Sequence, residues 1–182
     1  MNNHVALSPR HHCRGTFFFT VVAYRRQPIL CDEAIRTALR EAVLSVRRSK
    51  PFAIDAWVLL PDHLHCVWTL PADDDDFSGR WSLIKSAVSR VVGAQYRRAE
   101  WLNASKLKHR EATIWQRRFW EHCIRDEYDL QRHVDYLHFN PVKHGLVSRV
   151  ADWPHSTFHR FVAEGRYSLD WAGSTDGVDV DE

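Results

Sequence analysis

Ala56-Trp57-Val58-Leu59-Leu60-Pro61-Asp62-His63-Leu64-His65-Cys66-Val67-Trp68-Thr69-Leu70-Pro71 is the stretch that decides the fold. It holds two apolar, β-prone runs joined at Pro61-Asp62. A link this short favours an antiparallel hairpin, with strands over about 53–60 and 63–70. Side chains in a strand alternate faces with period two. His63 and His65 therefore share one face and Leu64 takes the other. Two imidazoles roughly 6–7 Å apart along a strand can share one metal ion. The bland reading of H-x-H is two histidines on a solvated sheet face.

Working outward, Thr16 to Tyr24 is aromatic and β-branched, without clean alternation, and reads as a central strand. Asp32 can cap a helix in which Ile35, Leu39, Ala42, Val43 and Val46 recur at helical spacing. Pro51 prevents that helix from running through Lys50. After Asp73-Asp74-Asp75-Asp76, a second helix carries Trp81, Ile84, Val88 and Val91 as its apolar stripe. Residues 97–112 are charged and read as an excursion. Segments 114–120 and 122–125 read as a fourth strand or a short pair. Asp126 starts a third helix, with Asp129 three residues on. On it Leu130, Val134 and Leu137 form the core stripe, and His133, Tyr136 and Asn140 form another. Pro141 is expected to end or kink this helix, and Gly145 to terminate it. The order β-α-β-β-α-β, then a helix, predicts an α+β, ferredoxin-like (split βαβ) antiparallel sheet with two helices on one face. The other face is left to carry His63 and His65. The expected organisation is an arm at 1–14, a main domain at 15–150 and a C-terminal extension at 151–182.

The chain has 182 residues, enough apolar content (45%) for a real core, and a net charge of only +2. The distribution of charge says more. Between Arg80 and Arg125 eleven Lys and Arg face only Glu100, Glu111 and Glu121. A basic middle interleaved with Trp and Tyr suits a polyanion. Lys85, Arg90, Arg97, Arg98, Arg117 and Arg118 are the candidates to neutralise nucleic-acid phosphates, Arg117 and Arg118 foremost. Trp81, Trp115, Trp120 and Tyr96 are candidates to stack on unpaired bases, although most such rings end up in a core. Four scattered cysteines without a C-x-x-C pair exclude a zinc knuckle and read as free thiols. No apolar run approaches the roughly 20 residues that span a bilayer. The expected location is the cytoplasm, in association with the nucleoid.

A tyrosine on a helix, a carboxamide one turn later and a His pair on a strand make one economical site. His63, His65 and the Asn140 side-chain oxygen would hold a metal as Lewis acid on a phosphate. Tyr136 would attack that phosphate. A free phenol ionises at about pH 10, so a nearby cation or base must lower that cost. Two imidazoles favour Mn, Co, Ni or Zn in isolation. Cellular abundance and phosphate ligands still make Mg2+ or Mn2+ the expected working ion.

His63-Leu64-His65, the segment Trp115-Gln116-Arg117-Arg118-Phe119-Trp120 and above all Asp135-Tyr136-Leu137-His138-Phe139-Asn140-Pro141-Val142-Lys143-His144-Gly145 resemble the single-tyrosine HUH transposases. More narrowly, with Asp152-Trp153-Pro154-His155 and Asp170-Trp171-Ala172-Gly173, the chain resembles the REP-associated tyrosine transposases, over about residues 15–173. The resemblance implies a ferredoxin-like fold and His63 and His65 as metal ligands. It implies Tyr136 as the nucleophile that forms a 5′-phosphotyrosine. Asn140 falls at the third ligand position, where insertion-sequence relatives carry glutamine. The implied partner is single-stranded DNA bearing an imperfect palindromic hairpin of the REP type. Insertion-sequence relatives are dimers that swap the tyrosine helix, and the resemblance here leans to a monomer, with a dimer as the alternative. Two further readings stand beside strand transfer. One is a catalytically silent hairpin-DNA or RNA binder. The other is a metal-dependent phosphodiesterase that uses water.

Overall fold

The computed structural model describes residues 15–102 and 113–173. The expected arm at 1–14, most of the charged excursion and the last residues of the tail lie outside them. The four strands are β1 (Thr16–Val22), β2 (Ala53–Leu59), β3 (His63–Thr69) and β4 (Trp120–Cys123). They form one antiparallel sheet in the order β2-β3-β1-β4. The helices are α1 (Glu33–Ser49), α2 (Phe77–Val92), α3 (Glu127–Lys143) and α4 (Phe158–Ala163). This is the split βαβ arrangement that the sequence order predicts. Among the described residues no helix is long and apolar enough to cross a membrane.

The two faces of the sheet follow from the pleat. Phe17, Phe19 and Val21 of β1 and Leu64, Cys66 and Trp68 of β3 point one way. They bury against Ile35, Leu39, Val43 and Val46 of α1 and Trp81, Ile84 and Val88 of α2. Trp68 and Trp81 stack with ring centroids 4.2 Å apart. The opposite face is not open, as the sequence reading left it. Phe18, Ala56, Val58 and Val67 bury there against Val134, Tyr136 and Leu137 of α3 and Phe161 of α4. Each core of this kind is a two-layer solution in which a sheet face and a helix stripe cover each other. Both stripes of α3 are consequently buried, including His133 and Asn140.

β4 is shorter than expected and spans only Trp120–Cys123. The residues before it run beside β1, with a single bridge from Trp115 to Ala23 and Gln116 N donating to Val22 O. Outside the sheet, β2 is covered by residues 155–157. Leu59 N donates to His155 O and Thr157 N donates to Trp57 O, each across 2.8 Å. This main-chain pairing closes an edge that would otherwise be a template for another chain.

Pro141 neither ends nor visibly breaks α3, which continues to Lys143. The terminus is set by Gly145, at φ +67°. Leu146 N reaches back to Pro141 O and Gly145 N to Val142 O, both across 2.9 Å, which is a Schellman closure. That closure holds the last turn together, and with it the positions of Lys143 and His144. At the other end the Asp126 carboxylate accepts from Asp129 N across 2.8 Å. Cys31 and Cys66 are free thiols, whereas Cys123 is disulfide-bonded, so the reading of free thiols throughout does not hold.

Candidate functional site

His63 and His65 lie side by side on β3, ring centroids 4.8 Å apart, and both are buried. Each imidazole is held at Nδ1 by a neighbour. His63 Nδ1 donates to the Asp62 carboxylate across 2.7 Å. His65 Nδ1 is hydrogen-bonded to the Thr20 hydroxyl across 2.9 Å. Thr20 is brought there by register, since it faces His65 across the β1–β3 ladder. Engaging Nδ1 fixes ring orientation and points Nε2 toward a ligand, as second-sphere partners of metal-binding histidines do. Burial alone would raise the Asp62 pKa, but hydrogen bonds from His63 and Arg26 outweigh it and hold the carboxyl at about 2. Asp62 therefore stays an acceptor across the working pH range.

α3 lays Tyr136 over His65. The Tyr136 ring lies 5.4 Å from that of His65, and the side chain is 2% exposed. Asn140, one turn on, is fully buried. Neither Asn140 Oδ1 nor Nδ2 has a hydrogen-bond partner, and His63 Nε2 is likewise buried without one. Orphaned polar atoms of this kind cost about 1–3 kcal/mol each unless something meets them. A divalent cation fits a donor set of two imidazole nitrogens and one carboxamide oxygen. The structure brings Tyr136 to His65 and His65 to His63, and Asn140, the third residue of the set named from sequence, lies one turn beyond Tyr136 on the same helix.

Two more residues belong to this corner. Lys143 Nζ donates to the Tyr136 hydroxyl oxygen across 3.3 Å and sits 4.9 Å from its ring centroid. The ring of His144 lies 5.1 Å from that of His63. Asp62, Thr20, Lys143 and His144 were given no role from the sequence, and Lys143 and His144 are both exposed at the rim of the corner. Asp62 had a signal, being adjacent to His63. Lys143 had one too, since seven residues from Tyr136 is two helical turns on the same face. Thr20 had none, because only strand pairing brings it near.

A second group lies further along the same sheet face. His122, Asp129 and His133 place ligand atoms within 4.8 Å of one another and could hold a metal ion. Here the carboxylate is already engaged. Asp129 Oδ2 accepts from His122 Nε2 across 2.9 Å, from Arg125 N across 3.0 Å and from Arg125 Nε across 3.1 Å. His133 Nδ1 donates to Asp129 O across 2.8 Å. Burial would raise the Asp129 pKa, and these donors drive it well below the usual carboxylate range.

The expected DNA-contacting residues are not gathered around Tyr136. Lys85 and Arg90 are on α2, which covers the opposite face of the sheet. Arg97 and Arg98 follow α2, and Arg117 and Arg118 precede β4; all are exposed, as is Arg90. Lys85 is partly buried, with Nζ donating to Gln116 O across 3.0 Å, and desolvation lowers its pKa to about 8. Arg80, counted in the basic middle, is 1% exposed and paired with Asp74 across 2.6 Å. Trp81, Trp115 and Tyr96 are core residues and cannot stack on bases, while Trp120 is half-buried.

No protein-family model matches the chain. It is 49% identical over 160 residues to the REP-associated tyrosine transposase of Escherichia coli (strain K12), covering 87% of this chain and 86% of that one. It is 41% identical over 162 residues to a putative REP-associated tyrosine transposase of Haemophilus influenzae, covering 89% and 90%. A solved REP-associated tyrosine transposase bound to a REP hairpin superposes with a TM-score of 0.78 at 44% identity, covering 100% of this chain and 98% of that one. With its tyrosine helix laid over a histidine pair, the chain belongs to the REP-associated tyrosine transposases.

Proposed function

We propose that this chain cuts and rejoins single-stranded DNA beside a REP-type palindromic hairpin, through a 5′-phosphotyrosine on Tyr136. The observation that carries the proposal is the buried contact of Tyr136 with His65, itself beside His63, with the buried and unmatched Asn140 side chain one turn further along the same helix. The solved relative bound to a REP hairpin supports the hairpin as partner.

Tyr136 Oη forms a bond to the scissile phosphorus, and the bond from phosphorus to the 3′ oxygen breaks. The phenol proton leaves to solvent, and the departing 3′ oxygen takes one up. The exchange of one phosphodiester for another conserves bond energy, so a second 3′-hydroxyl can reverse it and join strands. The ammonium of Lys143, at hydrogen-bond distance from Oη, favours the phenolate over the phenol. His63, His65 and Asn140 would hold Mg2+ or Mn2+, which would supply Lewis acidity to the scissile phosphate when bound. Asp62 and Thr20 keep the two imidazoles turned toward that ligand. Phe18, packed 6.2 Å from the Tyr136 ring, helps to exclude bulk water below the nucleophile. Because Tyr136 meets His65 of its own chain, one copy suffices to complete the site, which supports a monomer.

The test is a labelled single-stranded DNA hairpin incubated with Mn2+ or Mg2+ and run on a denaturing protein gel. A labelled band at the protein's mass, absent in Tyr136→Phe and with chelator, is the expected outcome. Free cleaved DNA from both proteins would instead establish water as the nucleophile. Because the His122 group offers a second place for a metal, the same ions are titrated into His63→Ala and His122→Ala. Loss of the metal-dependent rise in melting temperature in His122→Ala alone would move the metal to that group.

A further inference from the structure

A cleft of about 510 Å³ lies at the outer edge of the sheet, away from the tyrosine corner. Three segments remote in sequence build it: α1, strand β2 and residues 154–160. α1 contributes Arg36, Arg40 and Arg47 to its wall, and the C-terminal segment adds Arg160 and His155. Its floor is apolar, with Leu39, Val43 and Trp57. Among the described residues no Asp or Glu lines it.

Three of the four guanidinium groups are held in place. Arg36 Nε donates to Cys31 O across 2.9 Å, and Arg47 Nε donates to Phe52 O across 3.0 Å. Arg160 donates to the carbonyls of Ile54 and Asp55. Carbonyl partners orient a guanidinium without cancelling its charge. Arg160 also lies 3.7 Å from the Glu164 carboxylate, which offsets part of its charge, but Arg36, Arg40 and Arg47 around one concavity with no lining acid still make the site positive. The main-chain pairing of residues 155–157 on β2 holds the C-terminal wall in place.

We propose that this cleft is a binding site for the single-stranded DNA that flanks the hairpin, with phosphates on the arginines and a base against Trp57. The proposal rests on the DNA-processing function above and adds a contact surface outside the tyrosine corner. Two features favour single strand over duplex. The site is concave with an apolar floor, which suits an unstacked base, and an aromatic floor is the recurring partner of such bases. A duplex backbone would meet only its rim. The cleft sits at the β2 edge of the sheet, one strand from the strand that carries His63 and His65.

Arg40 gives the cleanest test, because it is exposed and lines the cleft, whereas Arg48 is exposed on the same helix outside it. Binding of a fluorescent hairpin, with and without single-stranded tails, is measured by anisotropy over a salt series in the full-length protein. Each neutralised single-strand phosphate contributes about 0.7 to the slope of log K against log salt. The expected result is a slope reduced by about 0.7 in Arg40→Gln on the tailed hairpin only. Arg40→Lys restores it, and Arg48→Gln leaves it unchanged, at unaltered melting temperatures. Equal effects of Arg40→Gln and Arg48→Gln, or equal effects on tailed and tail-less hairpins, overturn the proposal. So does inorganic pyrophosphate raising the melting temperature of wild type but not of Arg40→Gln, with no change of slope, which would make the cleft a small-phosphate site. A wild-type protein that binds neither hairpin sinks the DNA-processing function itself, a different result from an unchanged slope.

Discussion

Lys143 and Tyr136 lie two turns apart on α3, and the lysine ammonium donates to the phenol oxygen across 3.3 Å. Helical spacing puts both on one face, and the Schellman closure at Gly145 keeps the last turn from fraying. A cation next to a helix C-terminus is also favoured by the macrodipole, so Lys143 is stable where it stands. Its expected contribution is to the nucleophile's charge. Lys143→Ala should slow formation of the protein–DNA adduct by roughly tenfold to a hundredfold, and Lys143→Arg should retain part of the rate. Single-turnover adduct formation followed against pH is the measurement. An unchanged rate for Lys143→Ala would remove the lysine from the chemistry.

The two partners of the histidines predict graded losses. His63→Ala and His65→Ala should abolish cleavage while hairpin binding survives. Asp62→Asn and Thr20→Val leave the ligands present but release their orientation. Each should weaken metal binding by about tenfold to a hundredfold, read by calorimetric titration of Mn2+. Equal loss of DNA binding in all four variants would mean that the corner is structural.

Asn140 separates stability from function. In the metal-free protein its two buried amide atoms have no partner, and leaving such groups unmet costs about 1–3 kcal/mol. Asn140→Leu is close in volume and removes both. Its melting temperature without metal should equal or exceed that of wild type. The rise on adding Mn2+ should shrink and cleavage should fall. A large drop in metal-free stability would show that the carboxamide has a structural partner instead.

His138 predicts the response to acid. It is fully buried against Phe161 and Tyr167, with Nε2 hydrogen-bonded to the Thr157 hydroxyl. Desolvation, helped by the charges of Arg160 and Arg166, lowers its pKa from 6.5 to about 3. The folded state therefore disfavours the charged ring. The stability linked to this group is complete above about pH 6.5 and is lost as pH falls toward about 3, by up to about 1.4 kcal/mol per pH unit. Urea unfolding of wild type and His138→Gln at pH 7, 5 and 4 measures it. The variant should lose less on acidification, and parallel losses would assign the acid response to other groups.

Much of the fold was legible because its signals are local. The two apolar runs from Ala56 to Leu70, the stripe of Ile35, Leu39, Val43 and Val46, and the cap at Asp126 each depend on neighbours in sequence. Together they predicted the hairpin, helices α1 to α3 and the split βαβ order, but not α4. They also placed His63 and His65 on one strand face and Tyr136 and Asn140 one turn apart. What local pattern does not encode is which face meets which. Only the packing of α3 onto the second sheet face brought Tyr136 to His65. Only strand register delivered Thr20 to the same histidine. The basic residues show the limit most clearly. Counted along the chain, Arg80 belongs to the basic middle and Lys85 to the nucleic-acid candidates, yet burial turns Arg80 into the partner of Asp74 and ties Lys85 to Gln116. Arg36, Arg40, Arg47 and Arg160 drew no notice in sequence, because a cleft made from three distant segments exists only once the chain has folded. Periodicity is a property of neighbouring residues, whereas charge and ligand sites depend on side chains brought together by long-range packing.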